Sequence, residues 1–183
     1  HLEIFTGKDT PQYQVVLSNL ENIKKRTKDL PEGIHKENIS GLQLCREYYF
    51  TYGKPMLVEK FSAYLDKITV GLVGEGSDCF GFDDELSKDH DFGPRFCMWV
   101  SRSTYEEIGK ALQEAYNTLP DSFYNFTRNM SVTGTYRQGV IILEDFLEHL
   151  LFTKYMPMTD NDWFMLPENG LAALENGEIW HEG

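Results

Sequence analysis

Apolar positions along the chain switch between two periods, and the switches mark the elements. In residues 11–29, PQYQVVLSNLENIKKRTKD, Val15, Val16, Leu20 and Ile23 recur at helical spacing, behind Thr10 as a cap and Pro11 at the first helical position. This pattern predicts a peripheral amphipathic helix. Residues 30–40, LPEGIHKENIS, are rich in chain breakers and polar groups and predict a linker, with a second helix opening near Ser40. The expected organisation is an N-terminal helix and linker over residues 1–39 and a main domain over 40–183.

From Gly41 to Tyr52 the positions Leu42, Leu44, Cys45, Tyr48 and Tyr49 keep the helical period, and after Gly53 and Pro55 another helical segment runs through Leu57, Phe61 and Leu65. Residues 67–73, KITVGLV, change to a β-branched apolar run, a short buried strand that ends in the turn GEGS. A second extended stretch is expected over Asp89–Gly93 and then RFCMWVS, residues 95–101, bent by Gly93 and Pro94. Ser103 and Glu106 suit a capping box, followed by an apolar stripe of Ile108, Leu112, Ala115 and Leu119. Residues 120–135 read as a polar loop, YRQGVIIL (136–143) as a third strand, and EDFLEHLLFTKY as a helix. The remainder, with Pro157 and Pro167, reads as irregular and short-helical. Strands alternating with helices predict an α/β (α+β) fold, a small mixed sheet flanked by helices.

Composition narrows the class. With 41% hydrophobic and 14% aromatic residues, 183 positions suffice for one core with a small appendage. Lys plus Arg number 17 against 29 Asp plus Glu, a net charge of 17 − 29 = −12, so the surface repels phosphate backbones and a broad nucleic-acid-binding face is not expected. No apolar run approaches the roughly 20 residues that span a bilayer, and HLEIFTGKDTPQY carries no signal-peptide core. Cys45, Cys79 and Cys97 are odd in number and lack metal-ligand spacing, which fits reduced thiols in a cytoplasm.

The chemistry concentrates in GEGSDCFGFDDELSKDHDFG, from Gly74 to Gly93. Gly74, Gly76 and Ser77 follow the first strand, where missing side chains let backbone amides approach a phosphate and a hydroxyl can donate. Eleven residues separate Ser77 from Asp89-His90-Asp91. On a strand the two aspartates share a face, with α-carbons roughly 6–7 Å apart, a spacing at which two carboxylates converge on divalent ions. A cation lets both stay ionised while it bridges phosphate oxygens. The competing reading is a solvated acidic turn, for which the EF-hand glycine and spacing are absent. Lys88, Arg95 and Arg137 lie beside these elements, as phosphate partners or as solvated surface. Phe80, Phe82, Phe92, Phe96 and Trp99 read as core, with base stacking as the minority alternative. His90 faces away from the aspartates, and His149 and His181 receive no role.

A strand ending in Gly76-Ser77, a spacer and Asp89-x-Asp91 on the next strand resembles the nucleotidyltransferase superfamily. GLQLCREYY, GKPMLVEKF, GLVGEGSDCFGFDDELSKDHDFG and EDF resemble, more closely, an uncharacterised bacterial family of nucleotidyltransferase-like domains, over roughly residues 40 to 180. The resemblance implies a polymerase-beta-like core and a further helical segment beyond this chain, forming one wall of the acceptor pocket. It also implies an NTP substrate, foremost ATP, and Mg²⁺ or Mn²⁺ held by Asp89 and Asp91. Gly74, Gly76, Ser77 and Lys88 would hold the nucleotide while an acceptor hydroxyl attacks the α-phosphorus and pyrophosphate leaves. The acceptor, a small molecule or protein, is not specified. A third carboxylate activates the acceptor in that superfamily, and Glu144 and Asp145 are the candidates here; their other reading is service to the positive end of a helix. A non-catalytic nucleotide-binding or interaction module with a degenerate site is the alternative function.

Overall fold

The computed structural model describes residues 39–76, 79, 92–129, 136–154 and 159–183. The predicted helix over 11–29 and most of the linker lie outside the described residues. Residues Ile39–Gly183 form one compact unit.

Ser40 caps α1 (Gly41–Tyr48), its hydroxyl accepting from the Gln43 amide at 3.2 Å. Gly53 and Pro55 do not interrupt the helical path. A π-turn over Tyr49–Gly53 widens the helix and leads directly into α2 (Lys54–Lys60), with Pro55 in the first turn of α2, where its missing N–H is tolerated. Beyond Phe61 (φ −132°) the expected continuation through Leu65 is a tighter 3₁₀ stretch, Ser62–Lys67.

β1 spans Thr69–Val73 and β2 Cys97–Val100. The helix after β2 starts earlier than the capping box suggests. Ser101, not Ser103, is its cap and accepts from the Thr104 amide, because the strand ends at Val100 and the first turn follows at once. The helix comprises α3 (Arg102–Thr104), a π-turn Tyr105–Gly109 and α4 (Lys110–Asn117). The expected loop after it contains a small hairpin, β3 (Ser122–Phe123) and β4 (Phe126–Thr127), turning through Tyr124 and Asn125 at φ 51° and 70°. β5 (Gly139–Ile142) leads into α5 (Leu143–Leu151), and α6 (Asp160–Phe164) and α7 (Glu168–Glu175) follow. The segment expected to be irregular ends in a fourth sheet strand, β6 (Gly177–His181).

The main sheet has the order β5-β2-β1-β6, a small mixed sheet flanked by helices. β1 is antiparallel to β2 and to β6, and β2 is parallel to β5 through the α3–α4 crossover. β2 alternates across two cores. Met98 and Val100 join an aromatic cluster with Tyr48, Tyr49, Phe96 and Tyr116; Cys97 and Trp99 join a second cluster with Phe146, Leu150 and Ala173. In the β1–β6 register, Val70 faces His181 and Gly71 faces Ile179, so Trp180 bulges out. Its ring packs on both clusters and stacks on Tyr49. Gly71 makes the close approach of β6 possible, since a Cβ there would lie 2.2 Å from the Glu178 carbonyl oxygen.

Candidate functional site

The register gives the sheet two chemically different ends. Gly71 faces Cys97, and Cys97 faces Gly139, so the exit of β1 and the entries of β2 and β5 gather at one end. The exits of β2 and β5, Val100 beside Ile142, gather at the other.

At the first end β1 delivers the glycine turn. Gly74 has φ +133°, a conformation L side chains rarely adopt, and no described atom lies within 4 Å of where its Cβ would stand. The Gly76 carbonyl accepts from the Cys79 amide at 2.9 Å, and the buried Cys79 packs in the second core. From the other side β6 holds the exit of β1. Gly177 faces Val73 at φ +100°, and a Cβ on it would lie 2.1 Å from the Leu72 carbonyl oxygen.

Phe92 meets the Phe126 ring edge-on, centroids 4.9 Å apart. Gly93 is clamped: a Cβ would lie 2.4 Å from the Thr127 carbonyl oxygen, and the Cys45 thiol donates to the Gly93 carbonyl at 3.5 Å. Thr127 belongs to the β3–β4 hairpin, tied down next door by buried Arg128, which donates to the Tyr48 hydroxyl and the Tyr116 carbonyl, both at 3.1 Å. Burial pushes the Tyr48 hydroxyl up from its ordinary pKa, although the Arg128 guanidinium pulls against it. Arg95 is buried and Arg137 half-buried. Ser77, Lys88, Asp89 and Asp91, with the expected convergence of the two aspartates, lie outside the described residues. The described strand starts at Cys97, after a non-strand entry through Phe92–Phe96.

A residue without an assigned role joins the glycine turn. α5 runs back along the sheet from its far end and brings His149 to the turn, with Nε2 3.7 Å from the Glu75 carboxylate. Tyr136 stacks on the imidazole, centroids 4.9 Å apart at 27°. Glu75 is visible in the sequence only as the letter between two glycines. The signal for His149 is its place three residues after Phe146, which puts the two side chains along one face of the helix.

Glu144 and Asp145 stand at the opposite end. They occupy the first turn of α5, directly after β5 exits beside Val100. Glu144 Oε1 accepts from the Arg102 amide at 3.2 Å, and Asp145 pairs with the Arg102 guanidinium. Their carboxylates face the positive end of a helix that lacks a side-chain cap. A strand's length, roughly 10 Å or more, separates them from the glycine turn. Thus Gly74 and Gly76 come together with Glu75 and His149, and not with Glu144 or Asp145. Beside the acidic pair opens a groove of about 450 Å³, lined by Lys67, Thr69, Ser101, Ser103, Glu107 and Leu143 among others. Among the described residues, no group of three or more His, Cys, Asp or Glu side chains is arranged to hold a metal.

Comparison of the chain with protein families, with curated proteins and with solved structures gives no match. Among the described residues no helix is long and apolar enough to cross a membrane.

Proposed function

We propose that the chain is a metal-dependent nucleotidyltransferase that moves a nucleoside monophosphate, foremost AMP, from an NTP to a hydroxyl of a small molecule or protein. The observation that carries this reading is the glycine turn. It leaves β1 at a positive φ with open space at Gly74, and the sequence continues from it through Asp89-x-Asp91 into the neighbouring antiparallel β2. Backbone amides without side chains suit terminal phosphates, with Ser77 and Lys88 as the further phosphate contacts. In this reading Asp89 and Asp91 hold Mg²⁺ or Mn²⁺, which when bound neutralises the carboxylates and the phosphate oxygens together. The acceptor oxygen attacks the α-phosphorus, the bond to the bridging oxygen breaks, and pyrophosphate leaves. Positioning and charge neutralisation supply most of such catalysis.

Glu144 and Asp145 are poorly placed for the third-carboxylate role, being engaged with Arg102 a strand away. That observation favours one second reading, a nucleotide-binding module without turnover. At the near end of β5 the described residues are Tyr136, Arg137 and Gln138, none of them an acid. The side chains of Cys45, Cys79 and Cys97 are buried, and we assign the chain to a reducing cytoplasm.

The deciding experiment measures Mg²⁺-dependent pyrophosphate release from ATP alongside thermal stabilisation by ATP. Transfer predicts release that disappears in Asp89→Ala and Asp91→Ala; release undiminished in both variants excludes it. Stabilisation without release selects the binding module, and neither effect with any NTP rejects both.

A further inference from the structure

We propose that the half-exposed imidazole of His149 is the stacking platform for the base of a purine nucleotide, an assignment that rests on the nucleotide reading of the glycine turn and deepens it. Four rings form a column from the second core to the surface. Trp99 meets Phe146 at 5.5 Å, Phe146 meets Tyr136 at 6.3 Å, and Tyr136 stacks on His149 at 4.9 Å. Exposure rises along it: Trp99 and Phe146 are buried, Tyr136 is half-buried, and the His149 side chain is 45% exposed. The two inner pairs are tilted, at 48° and 52°, and Tyr136 and His149 are stacked, at 27°; the row of rings thus ends in an imidazole 45% exposed, the kind of ring on which a further flat π-system stacks.

Two details tie that ring to the turn. Glu75, between the two cradle glycines, reaches His149 with its carboxylate at 3.7 Å. The imidazole thus stands one glutamate side chain away from the backbone proposed to hold phosphates, a separation on the scale of a sugar-phosphate unit. Tyr136 supports the ring from a left-handed backbone, φ 59°, which for an aromatic residue costs about 1–2 kcal/mol. Strain of this kind concentrates at ligand clamps. A purine offers a larger face than a pyrimidine and gains more from the contact.

The test is titration calorimetry of the full chain in Mg²⁺ with three probes: a nonhydrolysable ATP analogue, the matching UTP analogue and inorganic tripolyphosphate. The ATP analogue is expected to bind about tenfold more tightly than the UTP analogue. His149→Ala should lose about tenfold for the ATP analogue and leave tripolyphosphate unchanged, whereas His149→Phe, which keeps a flat ring, should retain ATP-analogue affinity. Equal affinity for the two analogues overturns the purine assignment. Unchanged ATP-analogue binding in His149→Ala, an equal loss for tripolyphosphate, or failure of His149→Phe to retain affinity overturns the stacking role. If tripolyphosphate alone fails to bind, the phosphate cradle falls while the His149 variants still decide the platform. If no probe binds, both readings fall.

Discussion

The two ends of the sheet both bring acidic and basic side chains together, yet they use them in opposite ways. At the far end Asp145 pairs with the Arg102 guanidinium and Glu144 Oε1 accepts from the Arg102 amide, while Glu144 Oε2 is buried with no hydrogen-bond partner among the described residues; both acids lie in the first turn of α5. Those bonds answer needs the fold itself creates, namely unpaired amides and a positive helix terminus. At the near end Glu75 and His149 are 62% and 45% exposed and 3.7 Å apart, with His149 in the last turn of α5. The turn beside them is held in a backbone conformation only glycine takes easily. A carboxylate beside a helix start is thus ordinary structure; His149 in the last turn of α5 can serve that helix end in the same way, but the positive φ of Gly74 at the turn it meets answers no such need.

The largest effect that tests this contrast is catalytic. Loss of Asp89 or Asp91 should lower pyrophosphate release by about 10²-fold or more. Glu144→Gln and Asp145→Asn should leave it within about threefold, an effect on the fold alone. A collapse of turnover in either far-end variant, with the variant still folded by circular dichroism, would return the acid role to that end and break the contrast.

Next in size are two glycines at the near end, separable because their constraints differ. Gly177→Ala meets both a positive φ and a carbonyl oxygen 2.1 Å away. We expect a loss of about 3 kcal/mol or more in urea denaturation, since β6 must lift off β1. Gly74→Ala meets only its φ of +133°, with no described atom in the way. About 1–2 kcal/mol is expected there, together with weaker tripolyphosphate binding. Equal costs for the two would mean that β6 does not press on β1 as described.

How far the sequence made this legible depends on whether a feature is local. The helix cap at Ser40, the β-branched β1 and the apolar stripe of Ile108, Leu112, Ala115 and Leu119 are local, and all appear in the structure. β6 was hidden because its residues are only half-buried or exposed, so GEIWH shows little alternation; what makes it a strand is the edge of β1 and the bulge that sends Trp180 over both cores. Pro55 signals a break, yet the helical path continues through the π-turn, where Gly53 leaves no room for a Cβ against Phe96 and Tyr49. The glycine turn was legible as a motif. The distance of Glu144 and Asp145 from it was not, because proximity to a strand's end says nothing about which end of the sheet that is. His149, seven residues after Ile142, returns to the turn only because α5 folds back.

The smallest effect probes the far end on its own terms. Asp145 and Arg102 have side chains 29% and 47% exposed, so water screens their attraction, and the acid also faces the start of α5. Asp145→Asn keeps the shape and removes the charge. The pair and the helix terminus together should be worth about 0.5–1 kcal/mol in urea denaturation, and the difference from the native chain should shrink in about 1 M salt, where the Debye length is roughly 3 Å. A salt-insensitive loss of about 2 kcal/mol or more would mean that Asp145 acts as a buried hydrogen-bonding group rather than a screened charge. The far end would then be a packed joint between α3 and α5, and its acids still further from chemistry.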